Sequence, residues 1–150
     1  MIAVFDIDGV LSDDRYTAHL NPLSPEDMAK FGKLVPSLNP IEVLVRTARA
    51  LCLSRVPVYI FTARSEALRF DTEDWLYAQG IDFKKLYMRP LGSNDTAVKL
   101  KTNMFKQLID EVPNIDGIIF FEDNPAVCTA VKRNIDINVK AGEVFVCEVL

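Results

Sequence analysis

The chain has 150 residues, 17 Lys+Arg against 21 Asp+Glu, a formal net charge of −4 and 49% hydrophobic residues. That composition excludes wholesale disorder and allows one well-buried core. The acidity argues against a protein that coats nucleic acid, which normally carries a basic excess, but leaves room for an enzyme acting on a nucleic-acid end.

In chain order, Met1–Phe5 is an apolar run that stops at Asp6 and reads as a buried strand. Residues 12–39 contain Pro22, Pro25 and Pro36 and little periodicity. They read as a long loop with one short helix, and loops of that length are usually functional lids or disordered. Asn39 followed by Pro40 predicts a capped helix start, with Ile41, Leu44, Val45, Ala48 and Leu51 on one face. Val56–Thr62 is a second strand. Ala67–Gln79 is a helix that Gly80 can end. Phe83–Met88 is a third strand. Thr102–Glu111 is a helix, with a possible start one turn earlier. Gly117–Phe121 is a fourth strand. Pro125–Asn134 is a short helix, and Ile135–Val139 and Val144–Val149 are two further strands. Strands rich in β-branched residues that alternate with helices predict an α/β fold with a mainly parallel sheet. No linker divides the chain, so residues 1–150 are read as one domain, with 12–39 as a small cap or loop insertion.

The acidic surplus is local. Residues 1–30 hold Asp6, Asp8, Asp13, Asp14, Glu26 and Asp27 against Arg15 and Lys30, whereas residues 31–150 hold 15 acids and 15 bases. This is either a solvated acidic segment or a cation site. Cys52, Cys128 and Cys147 form no CxxC pair and read as reduced, buried thiols, which predicts a cytoplasmic location. His19 is the only histidine, so no Cys/His zinc pattern exists and a Ser-His-Asp triad is disfavoured. Acidic residues interrupt the N-terminal apolar run, which therefore does not read as a signal peptide, and no stretch is long and apolar enough to span a membrane.

In open parallel sheets, ligands bind at the carboxyl ends of strands. The first strand ends in Asp6-Ile7-Asp8-Gly9, the second in Thr62-Ala63-Arg64 and the fourth in Glu122-Asp123. If these strands are neighbours, four carboxylates, a hydroxyl and a guanidinium converge, and such a cluster needs a cation. Oxygen-only ligands suit Mg²⁺.

On these residues the chain resembles the haloacid dehalogenase-like (HAD) phosphatase superfamily. Asp6-Ile7-Asp8-Gly9-Val10 follows an apolar strand, Thr62 ends another, a lysine opens a later helix, and Glu122-Asp123 follows a further strand. Phe61-Thr62-Ala63-Arg64 and Leu86-Tyr87-Met88-Arg89-Pro90 look most like the small phage-type phosphatases and the 3′-phosphatase domain of polynucleotide kinase. Val10 and Ala63 depart mildly from that pattern, where threonine and glycine are more usual.

The resemblance implies a Rossmann-like three-layer sandwich with a minimal cap and a central first strand flanked by the second and fourth. It also implies a Mg²⁺-dependent phosphomonoesterase working through an aspartyl-phosphate. Asp6 would be the nucleophile, Asp8 the general acid and base, Thr62 a phosphoryl contact, and Gly9 and Arg64 part of the substrate site. The Mg²⁺ ligands would be Asp6, the Asp8 backbone carbonyl and Asp123, with Glu122 binding directly or through water. Asp8 would need a pKa raised by neighbouring carboxylates. Lys101 is favoured over Lys99 as the catalytic lysine, because it shares a helix face with Phe105 and Leu108. Arg64 either binds phosphate or pairs with the acidic segment, and Arg89 is read as an ion-pair residue. The implied substrate is a nucleotide, another phosphorylated small molecule or a nucleic-acid 3′ end. A catalytically slow phosphate-binding module and a phosphotransferase with a non-water acceptor are the rival readings. Oligomeric state is left open.

Overall fold

The computed structural model describes residues 1–150. Its centre is a five-stranded, entirely parallel sheet in the order β3-β2-β1-β4-β5. The strands are β1 (Ile2–Phe5), β2 (Val58–Ser65), β3 (Lys85–Arg89), β4 (Gly117–Glu122) and β5 (Glu143–Glu148). The first strand is central and lies between the second and fourth, as the resemblance implied.

All four residues of β1 are buried, which explains why they read as an unbroken apolar run. Side chains alternate between the two faces of a strand. Ala3 and Phe5 enter one core with Val45 and Ala48 of α2 (Glu42–Leu53) and Trp75 and Leu76 of α3 (Arg69–Ala78). Ile2 and Val4 enter the other core with Met104, Phe105 and Leu108 of α4 (Ala97–Glu111). Val127 and Val131 of α5 (Pro125–Arg133) and Ile137 of α6 (Ile135–Lys140) complete that layer. Within it, Phe105 meets Phe61 at 5.0 Å and Phe120 at 4.9 Å in edge-to-face packing. No helix is long and apolar enough to cross a membrane.

Several elements differ from their sequence reading. The stretch 135–139 is helix α6, not a strand. Ile135, Ile137 and Val139 alternate like a strand, but only Ile137 is buried, while Ile135 and Val139 are each 75% exposed. Asn134 initiates the turn instead, because its side chain accepts from Ile137 N–H at 3.0 Å. Asn39 does not cap α2. Its carbonyl accepts from Asp13 N–H at 2.8 Å, and Pro40 bridges to Ser12, so this corner is tied to the loop after β1. The α3 helix begins after a 3₁₀ turn at Glu66–Leu68, and α4 begins at Ala97 behind a Thr96 cap. Segment 12–39 contains one ten-residue helix, α1 (Pro25–Leu34), and a 3₁₀ turn at Val35–Ser37. All three cysteines are free, but only Cys128 is buried, and Cys147 is exposed. Trp75 is buried and donates from Nε1 to Leu38 O at 3.0 Å, whereas Tyr77 lies outside, stacked on Phe83.

Candidate active site

The apolar run of β1 ends where Asp6 begins a tight turn. Ile7 O accepts from Val10, Leu11 and Ser12 N–H, which folds the chain back over residues 7–12. Gly9 sits in that turn at φ +82, and a Cβ there would lie 2.6 Å from Asp123 Cγ. The left-handed backbone and the close approach of Asp123 both require glycine.

Asp6 is buried, and its Oδ1 accepts from Ile7 N–H at 2.7 Å and pairs with Lys101 Nζ at 2.8 Å. Lys101 reaches it from the buried face of α4, where it lies four residues before Phe105. Its Nζ also meets Glu122 Oε2 at 3.1 Å and donates to Phe61 O at 3.3 Å. Lys99, by contrast, is exposed and pairs with Asp95 at 2.7 Å. Glu122 uses its other oxygen, Oε1, to accept from Asn124 N–H at 3.0 Å. Asn124 in turn caps α5, accepting from Ala126 N–H at 3.0 Å.

One buried ammonium therefore serves two buried carboxylates. Burial pushes the Asp6 carboxyl up to about 7; Lys101 pulls the other way, and Glu122 and Asp8 add to the rise. Burial opposes the Lys101 charge, but Asp6 and then Glu122 outweigh it and raise its pKa above the ordinary lysine value. Burial and then the neighbouring Asp6 charge raise Asp123. Oxygens of Asp6, Glu122 and Asp123 all lie within 4.8 Å of one another. This oxygen-only donor set, beside a glycine at which a side chain would strike Asp123, fits a hard divalent cation.

Thr62 and Arg64 come from an irregular stretch of β2. Pairing with β3 runs regularly to Phe61↔Tyr87 and resumes at Ser65↔Arg89, so β2 carries extra residues between these points. Such a bulge re-aims side chains and leaves strand groups unpaired. Two carbonyls in this stretch take side-chain donors, Phe61 O from Lys101 and Ala63 O from Arg89 Nε at 3.1 Å. The Arg89 guanidinium also donates to Asp95 O at 2.7 Å. Arg89 is therefore a clamp on backbone carbonyls, not the ion-pair residue expected. The Thr62 hydroxyl is fully buried and accepts from Arg64 N–H at 3.2 Å, which leaves its own proton to donate.

Arg64 resolves toward the acidic segment. It grips Asp8 in a bidentate pair, Nε to Oδ2 at 2.9 Å and a terminal nitrogen to Oδ1 at 2.7 Å. Asp8 is thus faced by a guanidinium as well as by the neighbouring Asp6 carboxyl. Ser12 donates to Asp8 Oδ1 at 3.2 Å, Thr72 accepts from Arg64 at 3.4 Å, and the Phe31 ring lies 5.0 Å from the guanidinium carbon. Ser12, Thr72 and Phe31 were not legible as site residues. Only Ser12, four residues after Asp8, had a spacing that could have marked it.

No family model matches the chain, and no curated protein matches it. Solved structures do. A chain of the Pnkp1/Rnl/Hen1 RNA repair complex superposes with a TM-score of 0.71 at 18% identity over 98% of this chain. The chain has a haloacid dehalogenase-like fold. It spans 42% of the length of that relative, less than half. The D,D-heptose 1,7-bisphosphate phosphatase from B. bronchiseptica, solved with magnesium and phosphate, matches 89% of this chain and 76% of its own (TM-score 0.59, 15% identity). The HAD domain of effector protein Lem4 from Legionella pneumophila matches 98% of this chain and 84% of its own (TM-score 0.57, 12% identity). Asp6, Thr62 and Glu122 thus lie at the carboxyl side of the strands of a HAD-like sheet, where open α/β folds bind their ligands.

Proposed function

We propose that residues 1–150 form one catalytic unit, a Mg²⁺-dependent phosphomonoesterase of the cytoplasm, with 12–39 as a minimal cap. The observation that carries this reading is the burial of Lys101 Nζ between Asp6 and Glu122, with Asp123 beside them at the strand ends. Hydrophobic burial alone would never place an ammonium there, since an ion is costly to desolvate. A site that must take up a phosphoryl group gives it a use.

Asp6 and Asp123, with the Asp8 backbone carbonyl, would hold the ion. Glu122 holds Lys101 through Oε2 and Asn124 N–H through Oε1, and its remaining lone pairs would meet the ion directly or through water. When bound, the ion supplies the charge neutralisation that lets a carboxylate approach a phosphate dianion. Asp6 Oδ1 is held by Ile7 N–H and Lys101, which leaves Oδ2 to attack phosphorus. As the Oδ2–P bond forms, the ester P–O bond breaks and Asp8, entering the step protonated on Oδ2 with Arg64 Nε turned away from that oxygen, delivers this proton to the leaving oxygen. Water then attacks phosphorus, Asp8 takes its proton, and the Asp6–phosphorus bond breaks to release inorganic phosphate. Thr62 donates to a phosphoryl oxygen and Lys101 offsets its charge. Arg64 and Ser12 orient Asp8, and Gly9 lets the turn close against the site.

The substrate class is a nucleotide or a polynucleotide 3′-phosphate, a reading supported by the Phe61–Arg64 and Leu86–Pro90 resemblance and by the fold of the RNA repair neighbour. The test is hydrolysis of an aryl phosphate with Mg²⁺. Asp6→Asn and Asp8→Asn should each abolish it, and a chelator should do the same. Full activity in excess chelator contradicts the proposal.

A further inference from the structure

Segment 12–34 folds over the end of β2 and leaves a cavity of about 150 Å³ beside the catalytic carboxylates. Asp8 is part of its lining, so the cavity opens directly onto the proposed proton donor. In the mechanism above, the group attached to the leaving oxygen must lie next to Asp8. The chemistry of this cavity therefore selects the leaving group.

One wall is apolar. Met28 and Phe31 lie three residues apart on α1, with Leu68 also in the lining. The polar wall is acidic. Asp14 and Asp27 join Asp8, and the one basic residue of the lining, Arg64, is already gripped by Asp8 in both directions. Asp27 receives Asn21 N–H at 3.0 Å and lies 3.6 Å from Lys30, whereas the Asp14 side chain has no ion pair. Proteins that hold strands use basic grooves tracking the backbone. This wall would repel the next phosphodiester of a strand. An uncharged group with a flat apolar face and hydrogen-bond donors would meet Met28, Phe31 and two accepting carboxylates.

We propose that this cavity seats a single nucleoside as the leaving group, so that the chain takes mononucleotides and rejects strand ends, with Phe31 as the stacking surface and Asp14 as the residue that excludes further phosphates. The inference rests on the phosphomonoesterase reading and decides between its two substrate options.

Two measurements test it. In the first, kcat/KM is compared for adenosine monophosphate, glycerol phosphate and a short 3′-phosphorylated oligonucleotide, at low and high salt. The mononucleotide should be preferred over the oligonucleotide. Phe31→Ala should lower kcat/KM for the mononucleotide about tenfold more than for glycerol phosphate, the scale of a lost base–aromatic stack, over any loss the two share through the contact of Phe31 with Arg64. Asp14→Lys should raise turnover of the oligonucleotide, and high salt should erase that gain. An oligonucleotide cleaved as well as the mononucleotide by the wild-type protein overturns the proposal. So does a Phe31→Ala variant that loses all three substrates equally. In the second, adenosine alone is titrated while the Met28 methyl resonance is followed. A saturable shift that Phe31→Ala abolishes supports the site, and no shift overturns it. A shift without turnover of any ester would refute the phosphatase reading and leave the nucleoside site standing.

Discussion

At the level of single residues, the decisive group is Lys101. It is 2% exposed, and removing it strands Asp6 and Glu122 as buried, unpaired carboxylates. Breaking a buried pair in this way typically costs about 3–5 kcal/mol. Lys101→Ala should therefore abolish turnover and lower the unfolding midpoint sharply, whereas Lys99→Ala, which breaks only an exposed pair with Asp95, should do neither. Steady-state hydrolysis and thermal denaturation check both. The converse substitution separates stability from chemistry. Two carboxylates share one ammonium, so Asp6→Asn should inactivate the protein yet leave it at least as stable as wild type in metal-free buffer. A marked loss of stability in Asp6→Asn would show that Asp6 is there for the fold.

Individual elements show which parts of the structure the sequence discloses. Strand ends were legible because β1 is buried on both faces and β4 is buried on one and half-buried on the other, so their apolar runs break only at carboxylates, at Asp6 after β1 and at Glu122, the last residue of β4. The lysine was legible from helical spacing, because α4 buries one face and Lys101 lies on it. The pairing of Asp8 with Arg64 was not, since 56 residues separate them and the bulge in β2 sets the aim of the guanidinium. Helix α6 was misread because three β-branched residues at alternate positions imitate a strand, and only burial distinguishes the two. Caps carry their own prediction. Asn124 holds both the start of α5 and, through its backbone, Glu122. Asn124→Ala should cost about 1 kcal/mol of stability, read by denaturant unfolding.

Away from the site, the last turn of α4 is tied to β3. Glu111 accepts from Lys85 at 2.7 Å and from the Tyr87 hydroxyl at 2.7 Å, and these bonds hold its carboxyl at about 2, below the ordinary 4.5. A carboxyl whose pKa is depressed by folding stabilises the fold above its unfolded pKa and loses that contribution as pH falls through the folded one. Wild-type stability should therefore drop between about pH 4.5 and about pH 2, and Glu111→Gln should flatten that part of the curve. Because more than a third of the Glu111 side chain is exposed, the effect is modest. Unfolding followed across acid pH checks it.

Across the whole molecule, the parallel sheet with β1 between β2 and β4 gathers groups from three separate strand ends into one crevice. The acidity of residues 1–30 takes on meaning here, because Asp6 and Asp8 line the proposed catalytic centre while Asp14 and Asp27 line the adjoining cavity. A cation that binds the folded state alone stabilises it, by about 2.7 kcal/mol at a hundred times its Kd. Added Mg²⁺ should therefore raise the unfolding midpoint of wild type, and this rise should vanish in Asp123→Asn.

The central claim is that Asp6 carries the phosphoryl group during turnover. Acid quenching during single turnover, followed by mass spectrometry of peptides, tests it directly. The phosphoryl group is predicted on the peptide containing Asp6 in the wild-type protein and to be absent in Asp6→Asn. Hydrolysis retained by Asp6→Asn, or a phosphoryl group found on any other residue, would contradict the account.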